Sequence, residues 1–181
     1  MKTLLSILAF GLLQIPVHAE DVTKSLVTVS AKKQLLDSNH EMRGKQGDTS
    51  DKTFTLHVEI TNTTSSIITG AELTGNVLVT RSTDTAEKLL KEPLVKSPVP
   101  PLKPNKKVTI DLGMITLHEK EWKNRKFEEK LEEWKVVCVQ KQIPIGSAVS
   151  GDHYATLEKT AVPPSADKKP ANKKKNRKPL K

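Results

Sequence analysis

Between residues 53 and 82 the chain reads TFTLHVEITNTTSSIITGAELTGNVLVTRS, two alternating runs around a polar break, and no other stretch restricts the fold as much. Phe54, Leu56, Val58 and Ile60 alternate with Thr55, His57, Glu59 and Thr61. A period of two sends the two sets to opposite faces of a strand, so one face is buried and the other is wet. Asn62-Thr63-Thr64-Ser65-Ser66 interrupts the pattern with short polar side chains that bond their own backbone and favour a turn. Leu73, Val77 and Val79 then resume the alternation against Glu72, Thr74, Asn76 and Thr80. A two-stranded hairpin is marginal in water, so the other segments must cover this one.

Those segments read as further strands. Residues 26–31, Leu-Val-Thr-Val-Ser-Ala, are rich in β-branched side chains and predict a first strand that Leu35 and Leu36 extend. Residues 37–51 are polar, glycine-bearing and aperiodic, and predict a long loop. After a connection over residues 82–88, Leu89, Leu90, Leu94 and Val95 form a weak apolar strip around Pro93, whose missing donor restricts it to an edge. Pro98, Pro100, Pro101 and Pro104 predict a stiff extended crossover, a docking peptide for an aromatic groove being the alternative. Val108, Ile110 and Leu112 alternate with Lys107, Thr109 and Asp111 up to Gly113, where a bulge is expected.

Residues 118–133 mix Glu and Lys around Trp122, Phe127 and Leu131. Phe127, Leu131 and Trp134 share one helical stripe, so this insertion is expected to be partly helical, with a charged loop as the alternative. Residues 134–142 are apolar on both faces, as in a central strand; residues 143–149 return after a tight connection, and residues 154–157 are expected to close the domain as an edge. About seven strands with no repeated helical pattern predict an all-β fold, an antiparallel two-sheet immunoglobulin-like sandwich with a short helix in the late insertion.

This domain is expected over residues 20–158. Ahead of it, Lys2, an apolar run from Leu4 to Leu13, Pro16 and the small-residue site Val17-His18-Ala19 form the pattern of a secretory signal peptide over residues 1–19. The run is too short to span a bilayer, so the mature chain is expected to be periplasmic or extracellular with no transmembrane segment. Export implies an oxidising space, yet Cys138 is the only cysteine. Set in Val136-Val137-Cys138-Val139, it reads as a small buried hydrophobe.

The formal charge of +9 is unevenly spread: residues 20–158 hold 20 Lys/Arg and 20 Asp/Glu, whereas residues 159–181 hold nine Lys/Arg against Asp167. With no aromatic residue and no apolar period, that basic tail is expected to be disordered. Lys168, Lys169, Lys173, Lys174, Lys175, Arg177, Lys178 and Lys181 are its candidate contacts with an anionic surface. For an exported chain, envelope surfaces rank above nucleic acid as that partner.

Chemistry-bearing motifs are sparse. His40, His57, His118 and His153 lie in four separate segments, none at the short spacing of metal sites. Nucleophile elbows, phosphate-cradling loops and HExxH are absent. Glu128, Glu129, Glu132 and Glu133 are interleaved with Lys123, Arg125, Lys126, Lys130 and Lys135 and read as compensated surface pairs. No catalytic residue, cofactor or metal ligand is assigned. Asn62-Thr63-Thr64 matches a glycosylation sequon, but a turn needs those same residues. The expected role is an exported, non-enzymatic binding or structural module whose protein partner is not written in the residues. The alternative is a periplasmic or extracellular enzyme that brings at least two of His40, His118 and His153 within reach of carboxylates.

The order of these segments, with TFTLHVEITNTTSSIITGAEL, LKPNKKVTIDLGMI and WKVVCVQKQIPIGSA as landmarks, resembles small secreted bacterial immunoglobulin-like domains of the FxLYD-like kind over residues 22–149. In those domains a strand ending in Asn precedes a tethering turn, a proline-bearing segment precedes the next strand, and a late hairpin carries a Gly. The FxLYD tetrad itself is absent from this chain. The resemblance implies a sandwich with a binding or structural role and transfers no catalytic residues.

Overall fold

The computed structural model describes residues 25–42, 47–123 and 125–163. They form an all-β antiparallel fold of eight strands: β1 (Val27–Met42), β2 (Asp48–Asn62), β3 (Ala71–Thr83), β4 (Ala86–Pro93), β5 (Ser97–Val99), β6 (Lys107–Trp122), β7 (Arg125–Gln140) and β8 (Ile143–Val149). A single short helix, α1 (Tyr154–Thr160), follows them. The strand order is β1-β2-β6-β7-β3-β4, with β5 also beside β3 and β8 also beside β7.

Unequal pairing makes this one sheet sandwich-like. β2 pairs β6 and β3 pairs β7 along most of their lengths, but β6 meets β7 only where Glu119–Trp122 faces Arg125–Glu128. Beyond that hairpin the sheet parts into two layers, and their apolar faces close on each other. Leu56, Val58, Ile60, Leu73, Leu112, Val136 and Cys138, from both layers, are fully buried in one core. Each such aliphatic side chain contributes about 1.5–3 kcal/mol by leaving water. At this closed end β8 comes round to the start of β1, where the Leu26 N–H donates to the Ile145 carbonyl at 2.9 Å. Gly146 makes the approach possible, because a Cβ there would lie 2.5 Å from the Val27 carbonyl oxygen.

Two polar devices fix the register. Opposite Phe54 and Leu56 the ladder slips at Gly113, which has a positive φ of 69°, and the Thr55 hydroxyl donates to the Gly113 carbonyl at 2.8 Å. This is the bulge expected from the sequence. At the end of β2, Asn62 is fully buried. Its Nδ2 donates to the Ser66 and Leu102 carbonyls at 2.8 and 2.9 Å, and its Oδ1 accepts from the Thr64 N–H and hydroxyl, both at 2.8 Å. One side chain thereby ties the turn after β2 to the proline-rich crossover.

Several expectations need correction. Residues 118–122 and 125–133, expected as a partly helical insertion, are instead the arms of the β6–β7 hairpin. The helical stripe misleads because β7 carries a bulge between its pairs with Leu78 and Val79, which shifts the side-chain period of the strand. Of residues 37–51, expected as a loop, residues 37–42 end β1 and residues 48–51 begin β2, and the two pair with each other. The edge strand expected at residues 154–157 is instead α1, pinned by the buried Tyr154 and by Glu158, which accepts from Lys91. Beyond α1, Val162 forms a parallel bridge to Leu90 on the outer margin of β4. The residues expected as a signal peptide, and all of the tail lysines and the arginine singled out above, lie outside the described residues.

Candidate functional site

The hairpin end of the sheet is where side chains capable of recognition gather. Here all six long strands lie side by side, and a transverse row can be followed across them by register: Glu41, Thr49, Lys120, Phe127, Thr83 and Ala86. One step outward, Trp122 faces Arg125. Residues two apart on a strand share a face, so Lys120 and Trp122 on β6, and Arg125 and Phe127 on β7, stand together on it.

This face holds an open groove of about 540 Å³ lined by Thr83, Asp84, Thr85, Lys120, Trp122, Arg125, Lys126 and Phe127. A second hollow of about 310 Å³ adjoins it, shares Lys120 and Phe127, and runs on to Asn39, Glu41, Thr49, Asp51, His118 and Glu119. Its walls are held by the turn of β3–β4, where the Thr83 hydroxyl and the Ala86 backbone bond each other, and by Asp84, whose carboxylate accepts the Lys126 N–H at 2.7 Å.

The charges of the groove are not equally compensated. Lys126 sits 2.8 Å from Glu128 and 3.7 Å from Glu119. Its hydrogen bond to Glu128 holds the ammonium above its ordinary pKa and the carboxylate below its own. Lys123 lies over the Trp122 ring at 5.3 Å. Lys120 and Arg125 form no ion pair among the described residues. Trp122 is 39% exposed, enough to offer its indole to a ligand.

Below the groove, Arg81 and Glu129 meet where the layers part. The Glu129 side chain is 6% exposed; it accepts from Arg81 Nε and Nη2 at 2.8 and 2.6 Å and from the His118 N–H at 3.1 Å. This charge-assisted cluster stitches β3, β7 and β6 together next to the hairpin.

The histidines are not brought together. His118 contacts Asp51 and His57 contacts Asp111, each at 2.8 Å through Nδ1. His40 pairs with Ser50, one step from the Asn39–Asp51–His118 row, and so points to the opposite face of the sheet. His153 precedes α1. Of the three, His118 lies beside a carboxylate, that of Asp51; among the described residues no second histidine joins it there. Among the described residues no three His, Cys, Asp or Glu side chains converge as a metal site would need. Burial pushes the Cys138 thiol up to about 11, and the sequon amide of Asn62 is committed to internal hydrogen bonds.

Sequence reasoning treated Lys120, Trp122, Arg125 and Phe127 as part of a helix or loop. The usable signal was the spacing, with Lys and Trp two apart and Arg and Phe two apart on either side of a two-residue turn.

No family model matches the chain, and no curated protein matches it. Among solved structures it is similar to the Northeast Structural Genomics Consortium target SoR45, at 10% identity and a TM-score of 0.30, covering 68% of this chain and 85% of that one. It is similar also to a protein from Akkermansia muciniphila, at 12% identity and a TM-score of 0.31, covering 76% of this chain and 82% of that one. Neither likeness bears on what the chain does.

Proposed function

We propose that this chain is an exported, non-enzymatic binding module of the FxLYD-like immunoglobulin-like kind, which presents the hairpin-end face to a partner while its basic tail adheres to an anionic envelope surface. The observation that carries the reading is the hairpin-end groove: an open, mainly apolar hollow on a broad strand surface, with an exposed indole and two cations that form no ion pair among the described residues. Such a surface suits recognition by contact. The separation of charge along the sequence supports the second half, because a neutral domain leaves adhesion to Lys168, Lys169, Lys173, Lys174, Lys175, Arg177, Lys178 and Lys181.

Sedimentation with vesicles containing anionic lipid tests the adhesion. The full chain is expected to co-sediment at low salt and to be released at high salt, and a chain lacking residues 164–181 to stay in solution at both. Equal sedimentation of the two proteins, or binding indifferent to salt, would remove the tail from the reading.

A further inference from the structure

We propose that the hairpin-end groove binds a segment of an acidic polysaccharide, a polymer whose successive sugar rings carry carboxylates. The inference deepens the binding-module reading and rests on it for the exported setting. It follows from how the groove is tiled. Lys120 pairs across the hairpin with Phe127, and Trp122 with Arg125, so each of two successive rows offers one ring and one cation, with the order reversed between rows. The rows lie two residues apart, about 6.8 Å along the strands. Two rings interleaved with two cations suit a ligand that carries several ring faces and several negative charges; a lone small anion would use one cation and leave the aromatic surface idle.

The charge balance points the same way. Lys126 is already shared between Glu128 and Glu119, and the carboxylate of Asp84 is engaged by the Lys126 backbone, whereas Lys120 and Arg125 are unsatisfied by any described carboxylate. A carboxylated sugar supplies what those two lack, and its ring C–H face packs on the Trp122 indole and the half-buried Phe127. The guanidinium of Arg125 can grip a carboxylate with two parallel bonds, which adds selection for planar acidic groups.

The test uses the full chain and its tryptophan fluorescence. The chain has two tryptophans, of which Trp134 is 8% exposed within the core, so a ligand in the groove reports through Trp122. Oligogalacturonate is expected to shift the emission saturably, and its methyl-esterified, uncharged counterpart to do so at least tenfold more weakly. The double variant Lys120→Ala with Arg125→Ala is expected to lose at least tenfold in affinity while keeping the wild-type circular dichroism. Removing residues 164–181 should leave the shift in place, which separates this site from tail adhesion: either can fail without the other. No saturable shift with oligogalacturonate would overturn the proposal, and so would an equal response to polyphosphate, to oligothymidylate or to anionic vesicles. A shift abolished by loss of the tail and untouched by the double variant would do the same.

Discussion

At the scale of single residues, the fold leans on a few side chains whose value comes from having no substitute. Asn62 satisfies two carbonyls and two donors in a site closed to water. Replacing it by Ala strands those groups, each worth about 1–3 kcal/mol when buried and unpaired, so Asn62→Ala is expected to lower stability by about 3 kcal/mol in urea unfolding. Asn62→Asp should fare no better, since a carboxylate cannot donate to Ser66 and Leu102. A loss under about 0.5 kcal/mol, the range of an ordinary surface change, would mean that water replaces the amide. Cys138 is fully buried, with its thiol pKa pushed up to about 11 by burial. Native protein is expected to react with a thiol reagent near neutral pH many times more slowly than protein unfolded in denaturant; equal rates would place the thiol outside the core.

Among the elements, α1 is one whose attachment depends on pH. Lys91 donates to Glu158 and holds that carboxylate below its ordinary 4.5, while burial, helped by Glu158, raises the Tyr154 hydroxyl from 10.0 to about 12. A lowered carboxylate pKa stabilises above the ordinary value and the gain is lost as pH falls through the folded one; a raised phenol pKa stabilises below its ordinary value and the gain is lost as pH rises. The docking of α1 is therefore expected to be firmest between about pH 5 and pH 10. Tyr154 is the only tyrosine. Its ultraviolet titration should have a midpoint near 12 in the folded protein, and Glu158→Gln should bring it back toward 10.0. An unshifted midpoint in the wild type would show the ring in contact with water.

The same element explains part of what was legible in advance. α1 has seven residues and buries only Tyr154, too short and too thinly covered to print a helical period on the sequence. Where one face of a strand is buried, the alternation was plain: Leu56, Val58, Ile60, Leu73 and Val77 all lie in the core as their spacing requires. The hairpin end was illegible because most of its side chains meet water on either face, as in residues 37–42 of β1, which are all exposed. No burial means no period, and charged strands then look like a loop or a surface helix. The candidate groove shared that fate, since its residues sit where patterning is weakest.

For the molecule as a whole, one continuous sheet has a double-layered end and a single-layered end, and these cannot be equally stable. The closed end holds the apolar core; the other is held by its ladder, by Arg81 with Glu129, and by exposed pairs such as Lys126 with Glu128 that are individually worth little. Hydrogen exchange is expected to be fastest at residues 38–42 and 48–52 and slowest around Leu56, Leu73 and Val136. Uniform protection along β1 and β2 would show that the single layer is covered in solution.

The two margins of the sheet differ as well. Beside β4, Val162 accepts from the Lys91 N–H and donates to the Leu89 carbonyl, so the chain occupies part of that margin with its own continuation. The far margin, along the exposed half of β1, has no such cover among the described residues. Growth of a filament by strand addition needs two free sides on every copy, one to give and one to receive. A molecule that has covered part of one of them with its own chain gives up bonds there that a filament would need, and is left better suited to joining a twin along the other than to unlimited growth.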